Sequence, residues 1–83
     1  MSKNNKLPKW FKGGLYKKGD VVKNRFSGEE YELNNVELSM YDFVVGSTMM
    51  IEMGYKHTNV EDLRKGLDWF RKNNAKAYMV LLD

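Results

Sequence analysis

Six residues near the start of the chain bring cations and aromatic rings together: Lys9, Trp10, Lys12, Tyr16, Lys17 and Lys18. Lysines neutralise phosphates and release counterions, and an aromatic ring can stack on a base. Such a segment could hold nucleic acid. The same residues also describe an anchor, with rings docked on a core and lysines keeping the surface hydrated. No arginine-rich recognition helix or RNA-binding signature accompanies them, which weights the reading toward the anchor.

The other candidates for chemistry are weaker. His57 is the only histidine, and no recognisable nucleophile or carboxylate is arranged for it to serve as a general base. It reads as an exposed connector residue. Glu29, Glu30 and Glu32 lack the alternating ligands and the glycine of a calcium loop; they read as edge-strand charges that discourage aggregation. Gly13-Gly14 lacks the spacing of a phosphate loop and reads as a turn. There is no cysteine, which excludes disulfides and thiolate metal sites. The chain therefore reads as a non-enzyme, with no cofactor and no metal called for.

Charge is unevenly spread. Residues 1–25 hold eight Lys/Arg against Asp20 alone, a balance of +7, and residues 26–83 hold six against ten Asp/Glu, a balance of −4. This is a basic front on a mildly acidic body. At 83 residues the chain makes one domain with a modest core. No apolar run approaches the length of a membrane span, and the polar, basic start carries no signal core.

These residues must be positioned by a small set of elements. Residues 1–8 read as a basic flexible arm ending at Pro8, and residues 9–83 as a single α+β domain. Asp20–Leu33 reads as a β-hairpin: Val21 and Val22 in one strand, a turn at Phe26–Glu29, then Tyr31 and Leu33 alternating with polar neighbours. A lone hairpin is marginal, so it must pack on a helix.

The stretch Asn34–Tyr55 predicts the central helix. Asn34 and Glu37 fit a capping box, and Gly54 is a suitable stop. Val36, Met40, Phe43, Val44, Met50 and Ile51 share the core-facing side. A break at Gly46–Ser47 is the main threat to one continuous helix.

Thr58 and Glu61 predict a second capping box. The helix after it carries a stripe of Val60, Leu63, Leu67 and Phe70, with Trp69 off the stripe, covering the edge of a neighbour. Asn73-Asn74 ends that helix and caps another. Ala75–Leu82 suits a short helix or a buried strand, with helix preferred. The expected fold is α+β, an N-terminal β-hairpin packed on two to three α-helices.

A second row on the central helix, Leu38, Tyr41, Val45 and Met49, widens its apolar arc beyond one packing face. This flank is the candidate interface, for another protein or for a second copy. Four of the six methionines lie on this helix or at its end, and methionine makes adaptable contacts.

Two resemblances follow. Leu7-Pro8-Lys9-Trp10-Phe11, Phe26-Ser27-Gly28-Glu29, Glu37-Leu38-Ser39-Met40-Tyr41-Asp42-Phe43 and the closing segment from Gly66 to Asp83 resemble small uncharacterised proteins of T4-like marine cyanophages. That resemblance implies a phage origin and a setting in the cytoplasm of an infected host cell, or in a virion; it implies no mechanism. Trp10, Tyr16, Gly19-Asp20, Val22, Gly28 and Tyr31 resemble the strand–turn–strand core of small chitin-binding modules. This second resemblance implies a hairpin and carries no sugar-binding residues. The expected function is a non-enzymatic accessory role through protein–protein interaction with a host or phage protein. The alternative is nucleic-acid binding through the basic front.

Overall fold

The computed structural model describes residues 6–11, 13–55 and 60–82. Strand β1 (Asp20–Lys23) and strand β2 (Glu30–Leu33) form an antiparallel pair with Val22 opposite Tyr31 and Asp20 opposite Leu33. Side chains alternate across a strand. Val22, Tyr31 and Leu33 accordingly turn to the core, while Lys23 and Glu30 face solvent as an ion pair at 3.9 Å. Asn24 builds the turn. Its side-chain oxygen accepts from the amides of Phe26 and Ser27 at 2.7 and 3.0 Å, and Gly28 supplies a φ of 80°. Asn and Gly are the residues that such local bonding and positive φ select.

Helix α1 (Asn35–Glu52) runs unbroken through Gly46. Both halves of the capping box form: Glu37 N–H donates to Asn34 Oδ1 at 2.8 Å, and Asn34 N–H donates to Glu37 Oε1 at 3.0 Å. At the other end Gly54 takes a φ of 87°, donating to Ile51 O, and Tyr55 N–H donates to Met50 O. That pair of bonds is a Schellman close, which needs a left-handed residue and so favours glycine.

Helix α2 (Val60–Asn73) packs on α1. The close approach runs through Gly66, where an added Cβ would lie 2.9 Å from Val44 Cγ2 and 3.4 Å from Met40 Sδ. A short helix α3 (Ala75–Ala77), capped by the Asn74 side chain, leads into a π-helical turn at Tyr78–Leu82. The tail is thus helical, and its Ala77 and Leu81 are buried. The core joins Leu33, Met40, Val44, Trp69, Phe70, Ala77 and Leu81. The architecture is α+β, a hairpin followed by helices. No helix among the described residues is long and apolar enough to cross a membrane.

Three sequence expectations need correction. Trp69 is a core residue rather than an edge cover. It meets Phe70 edge-on at 5.2 Å between ring centroids, and its indole N–H donates to Lys6 O at 3.3 Å. The approach at Gly66 draws the next turn of α2 inward, and a buried indole N–H then needs an acceptor. Met50 and Ile51 are exposed, although they share an angular face with Met40 and Val44; Val60 is exposed as well. The buried residues of α1 end at Val44 and those of α2 begin at Gly66, so the paired ends project past the core. The expected connector role of His57 and the expected Thr58 cap of α2 lie outside the described residues, as do Lys12 and residues 1–5 of the arm. The rest of the arm touches the body: Leu7 packs against the core and Lys6 O takes the Trp69 bond.

Candidate functional site

The apolar flank of α1 is built by an i, i+4 row. Tyr41, Val45 and Met49 stack along one side of the helix, and Met53, just past the last turn, continues the row. Exposure climbs along it. Leu38 and Tyr41 pack against the core, Val45 is half-buried, Met49 is 45% exposed and Met53 is 69% exposed. The inner part of the predicted interface is therefore filled by the chain itself, and the outer part reaches solvent.

The hairpin tip lies beside this row. Arg25 pairs with Glu52 at 3.6 Å, holding the turn against the last turn of α1. A groove of about 210 Å³ runs between them, lined by Phe26, Tyr41, Val45, Thr48, Leu67 and Leu82 among others. Phe26 stands over it 86% exposed, with the Arg25 guanidinium 5.1 Å from its ring centroid. Burial pushes the Tyr41 phenol above its ordinary value, and the nearby Arg25 charge partly opposes this. Phe26, Met53 and Tyr55 are all exposed; the sequence marks Met53 as one of the methionines suited to adaptable contacts, and Phe26 and Tyr55 only as turn and connector residues. The signal that could have found Phe26 is its large ring in a polar turn, where no core position is available.

The basic front is divided among different surroundings. Trp10 is half-buried, packed against Phe43 and Phe11 at ring separations of 5.8 and 6.3 Å. It is an anchor, and Lys65 of α2 sits 5.9 Å from its ring centroid. Lys9 is exposed beside it. Tyr16 is exposed, and its backbone N–H donates to Ser39 Oγ at 2.9 Å. The Asp42 carboxylate beside its hydroxyl raises the Tyr16 pKa by hydrogen bonding and by charge. A neighbouring carboxylate disfavours an incoming phosphate.

Lys17 and Lys18 rim an open polar cleft of about 460 Å³ with Tyr31, Asn34, Glu37 and Asn74 in its walls. The Glu37 carboxylate is only 3% exposed and is already held: Asn34 N–H donates to Oε1, and Asn74 Nδ2 donates to Oε2 at 2.9 Å. Asn74 Oδ1 in turn accepts from Tyr31 OH at 3.3 Å and from Ala77 N–H at 3.1 Å. This network ties β2, α1 and the tail together, so the cleft floor is structural. No cluster of metal-ligating side chains occurs among the described residues. Glu29, Glu30 and Glu32 lie along or beside β2 with their side chains exposed.

No protein-family model matches the chain, and neither a curated protein nor a solved structure does.

Proposed function

We propose that the protein is a non-enzymatic interaction module that docks another protein through the outer end of α1. The observation that carries this reading is exposed Phe26 sharing a groove with half-buried Val45, whose row on α1 continues into exposed Met49 and Met53. Burying them on a partner removes apolar surface from water at roughly 25 cal/mol per Å². Methionine and an exposed phenylalanine suit a complementary apolar face, since both offer area without fixed polar demands. Arg25 and Glu52 supply a charged rim of the kind that sets register at an interface. In keeping with the resemblance to small cyanophage proteins, the proposed role is that of a phage accessory protein, with a host or phage protein in an infected cell as the proposed partner.

The test is affinity capture from infected bacterial lysate treated with nuclease. The wild-type protein should retain a defined protein, and Phe26→Ser with Met49→Gln and Met53→Gln should lose it while keeping its melting temperature. Equal capture by the triple variant would overturn the assignment. Sedimentation at rising concentration separates a second copy from a foreign partner as the occupant.

A further inference from the structure

A second groove, independent of the apolar end, lies between the N-terminal segment and α2. It encloses about 270 Å³ and is lined by Trp10, Lys65, Asp68, Trp69, Lys72 and Asn73. Half-buried Trp10 offers it an aromatic surface, buried Trp69 lies behind, and Lys65 and Lys72 bring positive charge. Lys65 and Lys72 are seven residues apart on α2, hence on one side of the helix and about 10 Å apart along its axis. Among the described residues neither has a carboxylate partner; the one carboxylate of the groove, Asp68, is taken by Arg71. Lys9 adds an exposed charge beside Trp10. Asn73, an exposed lining residue, donates from Nδ2 to Trp69 O at 2.8 Å, which orients the amide and leaves its oxygen to accept from a ligand.

We propose that this groove binds single-stranded nucleic acid, with a base against Trp10 and the adjoining phosphates on Lys65 and Lys72. With Asp68 offset by Arg71, Lys65 and Lys72 leave the groove net positive, the electrostatic footprint of a polyanion site. Aromatic walls add what a carboxylate polymer could not use, a surface for a planar base. Lys65 is the moving part. In the free protein its ammonium lies over the Trp10 ring. A phosphate draws it away and uncovers the ring for stacking. The fixed oxygen of Asn73 meets an amino or imino group of the base edge. The site differs from the one the sequence suggests: it keeps Lys9 and Trp10 and replaces Tyr16, Lys17 and Lys18 with lysines of α2.

The experiment is a titration of the full chain with fluorescein-labelled oligodeoxythymidylate at two salt concentrations. The chain has two tryptophans and both line the groove, so intrinsic fluorescence reports occupancy without further labels. The expected result is quenching of that fluorescence on binding, with affinity falling as salt rises. Lys65→Gln with Lys72→Gln should weaken binding about tenfold and reduce the salt slope by about 1.4, at roughly 0.7 per single-strand phosphate contact. Lys17→Gln with Lys18→Gln should cost clearly less. Trp10→Phe, which keeps a ring in place, should bind with the slope unchanged. Absence of binding at low salt overturns the proposal. So does an equal loss in the Lys17 and Lys18 pair, or equal binding of polyglutamate, which has charge and no bases.

Discussion

The first turn of α1 buries a carboxylate with both oxygens bonded, one to a cap amide and one to Asn74. Its last turn carries no basic residue, exposes Met49, Met50 and Ile51, and is tied to the hairpin by one surface ion pair, Arg25 with Glu52. One helix thus has a polar end that is satisfied and enclosed and an apolar end that is open. The difference teaches that the two kinds of group play reversed parts here. Buried polar groups hold β2, α1 and the tail in one arrangement, because an unpaired group there costs free energy. Exposed apolar groups do little for the isolated fold and are left over for contact.

That contrast can be broken at the enclosed end first. Asn74→Ala removes the α3 cap, one donor to a buried carboxylate and the acceptor of Tyr31 OH. Together these should cost about 3 kcal/mol, read as a lowered midpoint in urea with an unchanged slope. A loss under 1 kcal/mol would mean that water replaces the network and that the enclosed end is not what organises the fold.

The middle of α1 gives a smaller effect of the opposite sign. Nothing lies within 4 Å of a Cβ added at Gly46, so Gly46→Ala should gain about 1 kcal/mol from helix propensity alone. The same change at Gly66 meets Val44 Cγ2 at 2.9 Å and should cancel that gain or reverse it. Thermal melts of the two variants should therefore move apart. Equal shifts would show that α1 and α2 do not close on Gly66.

At the open end the effects shrink. Arg25→Gln should cost less than about 1 kcal/mol at neutral pH, because its ion pair is exposed. It has a second signature through Tyr41. The folded protein raises the Tyr41 pKa above 10.0, so the neutral phenol's contribution is complete below that pH and is lost as pH rises through the folded value. Arg25 opposes the shift, and its removal should make the alkaline loss steeper. Tyr41→Phe should flatten it. An alkaline limb identical in all three proteins would remove Tyr41 from the account. Last, Met49→Gln with Met53→Gln should change stability by no more than about 0.5 kcal/mol. A large destabilisation would show those side chains to be part of the core after all.

What could be read from the sequence follows the range of each signal. The Asn34–Glu37 box, the Gly54 stop and the hairpin alternation rest on residues a few positions apart, and each formed as expected. Asn74 could be read as a cap, but not as the partner of Glu37, which lies 37 residues away. Helical periodicity assigns an angle around the axis and says nothing about how far along the axis the core extends. Ile51 shares the angle of Met40, and Met50 that of Phe43, yet both lie beyond the core's end. Trp69 was misplaced because its burial depends on how closely Gly66 brings two helices together. The pairing of Trp10 with Lys65 is likewise a meeting of remote segments, with no local pattern to announce it.

The bond from Asn24 Nδ2 to Val80 O, at 2.9 Å, has a bearing on how the chain comes into being. Asn24 also sets the hairpin turn, yet its partner is translated 56 residues later. The acceptor for the Trp69 indole, Lys6 O, is likewise made 63 residues before its donor. On a ribosome the hairpin and α1 must therefore wait, unsupported, for the segment that clamps them. Bonds between the two ends of the chain can form only after both have been made. During that interval Leu33, Met40 and Val44 are uncovered, and nascent chains of this protein should be a substrate for chaperones that bind exposed apolar segments until the tail emerges.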